Sequence, residues 1–186
     1  PEPFNVSETC EMLIAQGHEV TVLTGLPNYP QGIIPEEYKS KKARLEYKDG
    51  VEIRRSWIYP RGENLKGINK LKRVINYLSF PLFASRKRCV AGFDYDVVLS
   101  RQFSPVLMSV PALVHAKRRN VPCIIYCFDL WPEDLLTGGM TKQGLPYRLM
   151  KHVSKYIYSK ADLIVVTSPD FVRYFNEVLG LHEQTY

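Results

Sequence analysis

Apolar and polar positions along the chain follow two repeats, one typical of strands and one typical of helices. Short runs rich in β-branched residues predict buried strands at 19–24, 96–100, 122–128 and 163–168. Between them, apolar residues at helical spacing predict helices over 3–17, 68–90, 105–119, 145–160 and 169–179. Strands that alternate with helices predict an α/β fold, a Rossmann-like and mostly parallel sheet with helices on both faces.

Local signals add detail to this pattern. Asp49-Gly50 separates two β-like runs, 44–48 and 51–59, and predicts a hairpin. The Pro- and Gly-rich stretch 25–45 predicts a long loop, and Pro81 is expected to kink or divide the helix that contains it. No strand precedes the first helix, so the first strand of the sheet is expected to be missing from the sequence.

Composition narrows the class of protein. The chain has 186 residues, 45% of them hydrophobic, which is typical of a globular domain, and no run approaches the roughly 20 apolar residues of a membrane-spanning helix. Cys123 and Cys127 lie in an apolar run and are expected to be buried, reduced thiols. No second Cys/His pair completes a tetrahedral set, so no metal is expected.

The net charge of +6 favours an anionic partner, and its distribution indicates which one. Segment 64–93 has no acidic residue, and Tyr77, Phe80 and Phe83 are interleaved with its basic ones. These basic residues are Lys66, Lys70, Lys72, Arg73, Arg86, Lys87 and Arg88. A basic helix with apolar residues predicts binding to a membrane surface. The alternative is a solvated basic face whose apolar stripe is core. No nucleic-acid motif is present, so nucleic acid is not expected as a partner.

Ligands of parallel α/β sheets bind beyond the carboxyl ends of the strands. In this chain those ends lead into segments 25–32, 101–105, 129–140 and 168–171. Segment 129–134 combines three carboxylates with Trp131, a set that suits sugar hydroxyls and the apolar face of a pyranose. The alternative is that Asp129 or Glu133 caps a helix. Segment 25–32 offers neutral hydrogen-bonding groups, and its alternative is an ordinary surface loop.

Four segments together resemble the N-terminal domain of family 4 glycosyltransferases. They are Pro1-Glu2-Pro3-Phe4, the stretch 17–32 with its Pro27-Asn28-Tyr29-Pro30 loop, Asp129-Leu130-Trp131-Pro132-Glu133, and Ala161-Asp162 before a strand that ends in Thr167-Ser168-Pro169. The resemblance covers nearly the whole chain and points to the group that makes colanic acid, O-antigen and capsular polysaccharide.

The resemblance implies a GT-B enzyme with two Rossmann-like domains. Residues 1–186 would form a single N-terminal, acceptor-side domain, truncated at both ends, and the C-terminal domain that binds the nucleotide sugar would be absent. Transfer would retain anomeric configuration without a metal or another cofactor. The acceptor would be linked to undecaprenyl diphosphate at the cytoplasmic face of the cell membrane. This chain alone is therefore expected to be inactive.

The resemblance also directs attention to individual side chains. Asp129 and Glu133 are the candidate catalytic carboxylates. Candidate acceptor-binding residues are Asn5, Pro27, Asn28, Tyr29, Arg101, Ser104, Trp131 and Ser168. Many family members have a histidine where this chain has Phe128, and a phenyl ring cannot donate a hydrogen bond. Asn28 and Asp129 are expected to line one cleft.

Two other functions are compatible with the sequence. The chain could be a non-catalytic, membrane-recruiting acceptor subunit of a split glycosyltransferase, a role that the basic segment fits equally well. It could also be a Rossmann-like sugar-nucleotide epimerase, although the sequence contains no G-x-G-x-x-G fingerprint.

Overall fold

The helices and strands follow one another in the order that the sequence pattern predicts. The computed structural model describes residues 6–40, 44–62, 70–137, 139 and 141–182. It divides into two compact units, Pro1–Cys89 and Val90–Tyr186. Three of the four strand pairings in the described residues are parallel, which confirms the predicted α/β class.

The first unit contains helix α1 (Val6–Ala15), strands β1 (Thr21–Gly25), β2 (Leu45–Lys48) and β3 (Val51–Ser56), and helix α2 (Lys70–Ala84). Its sheet has the order β1-β3-β2, with β1 parallel and β2 antiparallel to β3. Asp49 and Gly50 join β2 to β3 with φ values of 51° and 79°. Two successive positive φ values are what a tight hairpin turn requires, so the predicted hairpin is confirmed.

Helix α2 is not divided at Pro81, so that part of the prediction is wrong. The helix runs from Lys70 to Ala84 with the proline inside it. Proline removes one backbone donor from a helix interior. Pro81 lies in the last turn of α2, and its carbonyl accepts the Ser85 N–H at 3.2 Å, just beyond the end of the helix.

The second unit is built on a wholly parallel sheet. Its strands are β4 (Val98–Gln102), β5 (Cys123–Cys127) and β6 (Leu163–Val166), in the order β4-β5-β6. Its helices are α3 (Val110–Arg119), α4 (Asp134–Thr137), α5 (Leu145–Tyr158) and α6 (Pro169–Arg173), and a π-helical segment, Tyr174–Leu179, continues α6. Strand β4 starts at Val98, two residues later than expected, because its pairing with β5 begins there, opposite Cys123.

One face of this sheet forms the core of the second unit. Ile125, Cys127 and Ile164 point into a buried cluster that includes Tyr158 and Phe175. Cys123 and Cys127 are buried and unbridged, as the sequence predicts. Burial raises the pKa of each thiol to about 12, because the thiolate would lose its hydration in the core. No described helix is both long and apolar enough to cross a bilayer.

Candidate functional site

A serine links two carboxylates at the carboxyl end of β4 and β5. The backbone N–H of Ser104 donates to Asp129 Oδ2 at 2.9 Å, and the Ser104 hydroxyl donates to Asp134 Oδ2 at 2.6 Å. Trp131 Nε1–H donates to the same hydroxyl oxygen at 2.9 Å. The loops that follow two neighbouring strands are therefore joined through side chains, at the sheet edge where α/β proteins bind ligands.

A buried glutamine holds the backbone beneath these carboxylates. The Gln102 side-chain amide donates to the carbonyl oxygens of Phe103 at 2.7 Å and Asp129 at 3.1 Å. Its carbonyl oxygen accepts the hydroxyl of Tyr158 at 2.9 Å. A fully buried amide is costly unless its donors and acceptor are paired, and here both are. The position of Asp129 is therefore tied to the core of the second unit.

Asp129 is a carboxylate that is held through one of its two oxygens. Its Oδ2 is held by Ser104, whereas Oδ1 accepts no hydrogen bond from the described residues. Asp129 does not cap α4, so the helix-cap alternative does not describe its contact. A carboxylate that is oriented through one oxygen and open at the other can accept a hydrogen bond from a bound hydroxyl.

Glu133 is surrounded by other side chains. Tyr147 donates its hydroxyl to Glu133 Oε1 at 2.7 Å, and Lys142 Nζ lies 3.4 Å from Oε2. Burial, and then the hydrogen bond to Glu133, raise the pKa of Tyr147 to about 12, so this phenol stays protonated and donating at neutral pH. Burial also raises the pKa of Tyr174, with the nearby Glu133 carboxylate as the next cause. Both Glu133 oxygens are occupied, which makes Asp129 the stronger catalytic candidate.

Trp131 lies inside the second unit. Its side chain is 3% exposed and belongs to the core cluster with Val106 and Tyr158. An enclosed indole cannot cover the face of a sugar, whereas its N–H fixes the Ser104 hydroxyl. We therefore assign Trp131 a positioning role through Ser104.

Arg101 and Phe128 lie together beside this edge. The Arg101 guanidinium carbon is 5.1 Å from the centroid of the Phe128 ring. Phe128 also stacks on Phe103 at 4.6 Å and meets Tyr126 at 4.3 Å. The Phe128 ring thus packs in an aromatic group and orients a cation.

The loop after β1 is internally bonded in the first unit. Asn28 Nδ2 donates to the Leu26 carbonyl at 3.1 Å, and the Asn28 carbonyl accepts the Gly32 N–H at 2.6 Å. A Cβ on Gly32 would lie 2.2 Å from the Gly62 carbonyl oxygen, so only glycine fits there. Pro27 and Asn28 are half-buried, and Tyr29 projects into solvent. The loop is therefore held by its own hydrogen bonds and exposes the Tyr29 phenol to solvent.

The remaining candidates are dispersed. Ser168 is half-buried and precedes α6, and its side chain caps no helix amide. Lys72, Arg73, Arg86, Lys87 and Arg88 are exposed on α2 and just after it, and Lys70 begins that helix. Asn5 and Lys66 lie outside the described residues. Asn28 belongs to the first unit and Asp129 to the second, so their common cleft stays a prediction.

Three contributors to the site were not among the predicted residues. Asp134 belongs to the predicted acidic segment 129–134, but no catalytic or acceptor-binding role was predicted for it. Gln102 had a weak signal, because it alternates with Arg101 on a strand and therefore points to the opposite face. Nothing in the sequence distinguishes Tyr147, which reaches Glu133 from the first turn of α5.

The described residues contain no group of three or more His, Cys, Asp or Glu side chains that could hold a metal ion. One oxygen of Asp129 and one of Asp134 instead accept hydrogen bonds from Ser104. The chemistry that these side chains offer on their own is recognition and orientation of hydroxyl groups.

Comparisons with known proteins show the family of this chain. A stretch of 77 residues is 35% identical to the probable glycosyltransferase WbjE of Pseudomonas aeruginosa. The matched stretch covers 40% of this chain and 19% of that relative, so it spans about a fifth of the relative's length. The family model of the glycosyl transferase 4-like domain matches residues 5–185. The chain therefore belongs to the glycosyl transferase 4-like domain family.

Proposed function

We propose that this chain is the acceptor-side part of a glycosyltransferase that transfers a sugar from a nucleotide-sugar donor to a lipid-carrier-linked acceptor. The reaction would serve bacterial surface polysaccharide synthesis, such as that of O-antigen or capsule, at the inner face of the cell membrane. The nucleotide sugar is the co-substrate, and a further domain outside this chain binds it. The enzyme uses no metal or other cofactor, and nucleic acid is not a partner.

One observation carries the proposal: the carboxylates of Asp129 and Asp134 converge on Ser104 at the carboxyl end of a parallel sheet, in a chain of this family. Glycosyl transfer forms a bond between an acceptor oxygen and the anomeric carbon, and it breaks the bond from that carbon to the nucleotide phosphate. The free Oδ1 of Asp129 accepts the hydrogen bond of the attacking hydroxyl and aligns its oxygen. Asp134 and Trp131 hold Ser104, which in turn holds Asp129.

Retention of anomeric configuration belongs to the same proposal. In a retaining transfer the acceptor oxygen approaches from the face that the nucleotide leaves, so the departing phosphate can take the acceptor proton. Asp129 then needs to orient the hydroxyl and does not need to remove its proton. The Phe128 ring supplies no donor at this point, so we assign the polar contact to Asp129.

The test is a transfer assay on the complete protein, with a panel of nucleotide sugars and lipid-linked acceptors as substrates. Formation of a glycosylated lipid with release of nucleotide is the expected result, and the product's anomeric configuration reports the stereochemistry. If the protein bound the acceptor but transferred no sugar, and a second polypeptide restored transfer, the split-subunit alternative would be favoured. Turnover of a nucleotide sugar with a bound nicotinamide and no acceptor would refute the proposal.

A further inference from the structure

Helix α2 presents its apolar side to solvent. Five large aliphatic side chains on this helix are exposed, between 38% for Ile75 and 64% for Leu82. They are Leu71, Val74, Ile75, Leu78 and Leu82, and we call them the apolar stripe. Their spacing of three and four residues places them along one side of the helix. The structure therefore contradicts the alternative interpretation of the sequence, in which this apolar stripe is part of the core.

The buried side of α2 is held by polar contacts. Ser79 Oγ accepts the backbone N–H of Tyr59 at 2.9 Å, and Asn76 Oδ1 accepts Arg61 Nε at 3.1 Å. Asn76 and Ser79 are both buried. These two hydrogen bonds fix which side of the helix faces inward. The apolar stripe is exposed because Asn76 and Ser79 hold another side of α2 against the first unit.

Basic side chains lie at both ends of the apolar stripe. Lys72 and Arg73 are exposed at its start, and Arg86, Lys87 and Arg88 are exposed just beyond its end. Residues 70–93 include no Asp or Glu. A second copy of α2 packed on the stripe, parallel or antiparallel, would bring like charges together at both ends. The charge pattern therefore disfavours a symmetric dimer and suits a surface of negative charge over an apolar interior.

We propose that α2 lies in the surface of an anionic lipid bilayer, with the apolar stripe among the upper acyl chains and the five flanking cations among the headgroups. The proposal goes beyond the transfer reaction because it concerns the surface of α2 alone. It predicts that the apolar stripe inserts into the bilayer, in addition to the attraction between the cations and the headgroups. Binding by charge alone would disappear at high salt, whereas an inserted stripe leaves a salt-resistant part.

The test uses co-sedimentation of the purified chain with vesicles of phosphatidylcholine and phosphatidylglycerol, and with vesicles of phosphatidylcholine alone. The probe variant is Leu71→Gln/Leu78→Gln/Leu82→Gln, since glutamine keeps helix propensity and removes apolar surface. The control variant is Met12→Gln/Leu149→Gln, which alters exposed apolar side chains on α1 and α5. Circular dichroism checks that each variant is folded.

We expect the wild-type chain to prefer the anionic vesicles and the probe variant to bind them about tenfold more weakly or worse. The control variant should bind within about twofold of wild type. A Leu78→Trp variant should gain fluorescence that brominated lipids quench.

Three results would overturn the proposal. These are equal binding of the probe variant and wild type, equal loss of binding in the control variant, and no quenching of the introduced tryptophan. Self-association of the wild-type chain that the probe variant abolishes would instead assign the stripe to a second copy. None of these readouts depends on transfer activity, so the membrane proposal and the proposed function can fail separately.

Discussion

Ser104 and Asp129 are joined by a hydrogen bond from the backbone N–H of Ser104 to Asp129 Oδ2, with a length of 2.9 Å. The two residues are 25 positions apart and lie in the loops that follow β4 and β5. Because the donor is a backbone group, the carboxylate is oriented by the main chain of a neighbouring loop. This bond leaves Oδ1 as the oxygen that can meet a substrate hydroxyl.

The first prediction concerns the charge of Asp129. In Asp129→Asn the side-chain carbonyl can still accept the Ser104 N–H, so the fold is kept while the anionic Oδ1 is lost. We expect the transfer rate of the complete enzyme to fall about ten- to a hundredfold, because a hydrogen bond to a charged acceptor contributes about 1.5–3 kcal/mol. The measurement is kcat with saturating donor and acceptor, accompanied by the melting temperature.

Asp170→Asn is the matched control, since Asp170 is an exposed carboxylate on α6 of the same unit. Its kcat should equal that of wild type within about twofold. If Asp129→Asn kept full kcat, Asp129 would have no part in orienting the acceptor.

The second prediction separates positioning from sugar contact at Trp131. Trp131→Phe keeps most of the buried ring and removes the N–H that Ser104 Oγ accepts. We expect a loss of about 1 kcal/mol in the free energy of unfolding, typical of one hydrogen bond, on top of the smaller ring volume. Urea unfolding measures this loss.

In the same variant we expect kcat to fall while the KM for the acceptor stays near its wild-type value, since the enclosed indole touches no sugar. Ser104→Ala should produce a similar kcat decrease, because it removes the hydroxyl that links Asp134 to Trp131, whereas Trp131→Phe removes one of that hydroxyl's two partners. A large rise in acceptor KM in Trp131→Phe alone would show that the indole contacts the sugar.

The order of elements was predictable because it depends on neighbours in sequence. Asp49-Gly50 specifies its own turn through the φ values that it tolerates, and the β-branched runs at 122–128 and 163–168 became β5 and β6. The inward side of α2 was not predictable in the same way. Helical spacing shows which residues share a side, but the Tyr59–Ser79 hydrogen bond, across 20 positions, determines which side is buried.

The site was predictable to a similar extent. Ligands bind beyond the carboxyl ends of parallel strands, and that rule selected Ser104 and Asp129, which the structure brings into contact. It could not distinguish Trp131 from a sugar-facing ring or show that Glu133 is occupied. Those outcomes depend on Ser104 and Tyr147, which meet these side chains only after the sheet and α5 have packed.

The third prediction tests the orientation of α2. Ser79→Ala removes the buried acceptor of the Tyr59 N–H, so the free energy of unfolding should fall by about 1–3 kcal/mol. Leu78→Ala, at the adjacent exposed position, should change it by about 0.5 kcal/mol or less. Urea unfolding of the two variants under identical conditions gives both values. A larger loss for Leu78→Ala than for Ser79→Ala would mean that the apolar stripe is the buried side.

The last prediction follows from the buried thiols of β5. Burial raises the pKa of Cys123 and of Cys127 from 9.0 to about 12, so the folded protein keeps protons that the unfolded chain releases near pH 9. A raised pKa stabilises the fold fully below pH 9, and this contribution is lost as the pH rises from 9 towards 12. At pH 10 the loss is on the order of 1 kcal/mol for each thiol.

The measurement is the free energy of unfolding in urea with reductant present, at pH 7, 9 and 10. Cys123→Ala/Cys127→Ala should be less stable than wild type at pH 7, because two buried side chains are shortened. Between pH 9 and 10 its stability should fall less steeply, since the variant lacks both titrating thiols, and the gap from wild type should narrow. Parallel pH profiles for the two proteins would show that the thiols titrate alike in the folded and unfolded states, which burial in β5 does not permit.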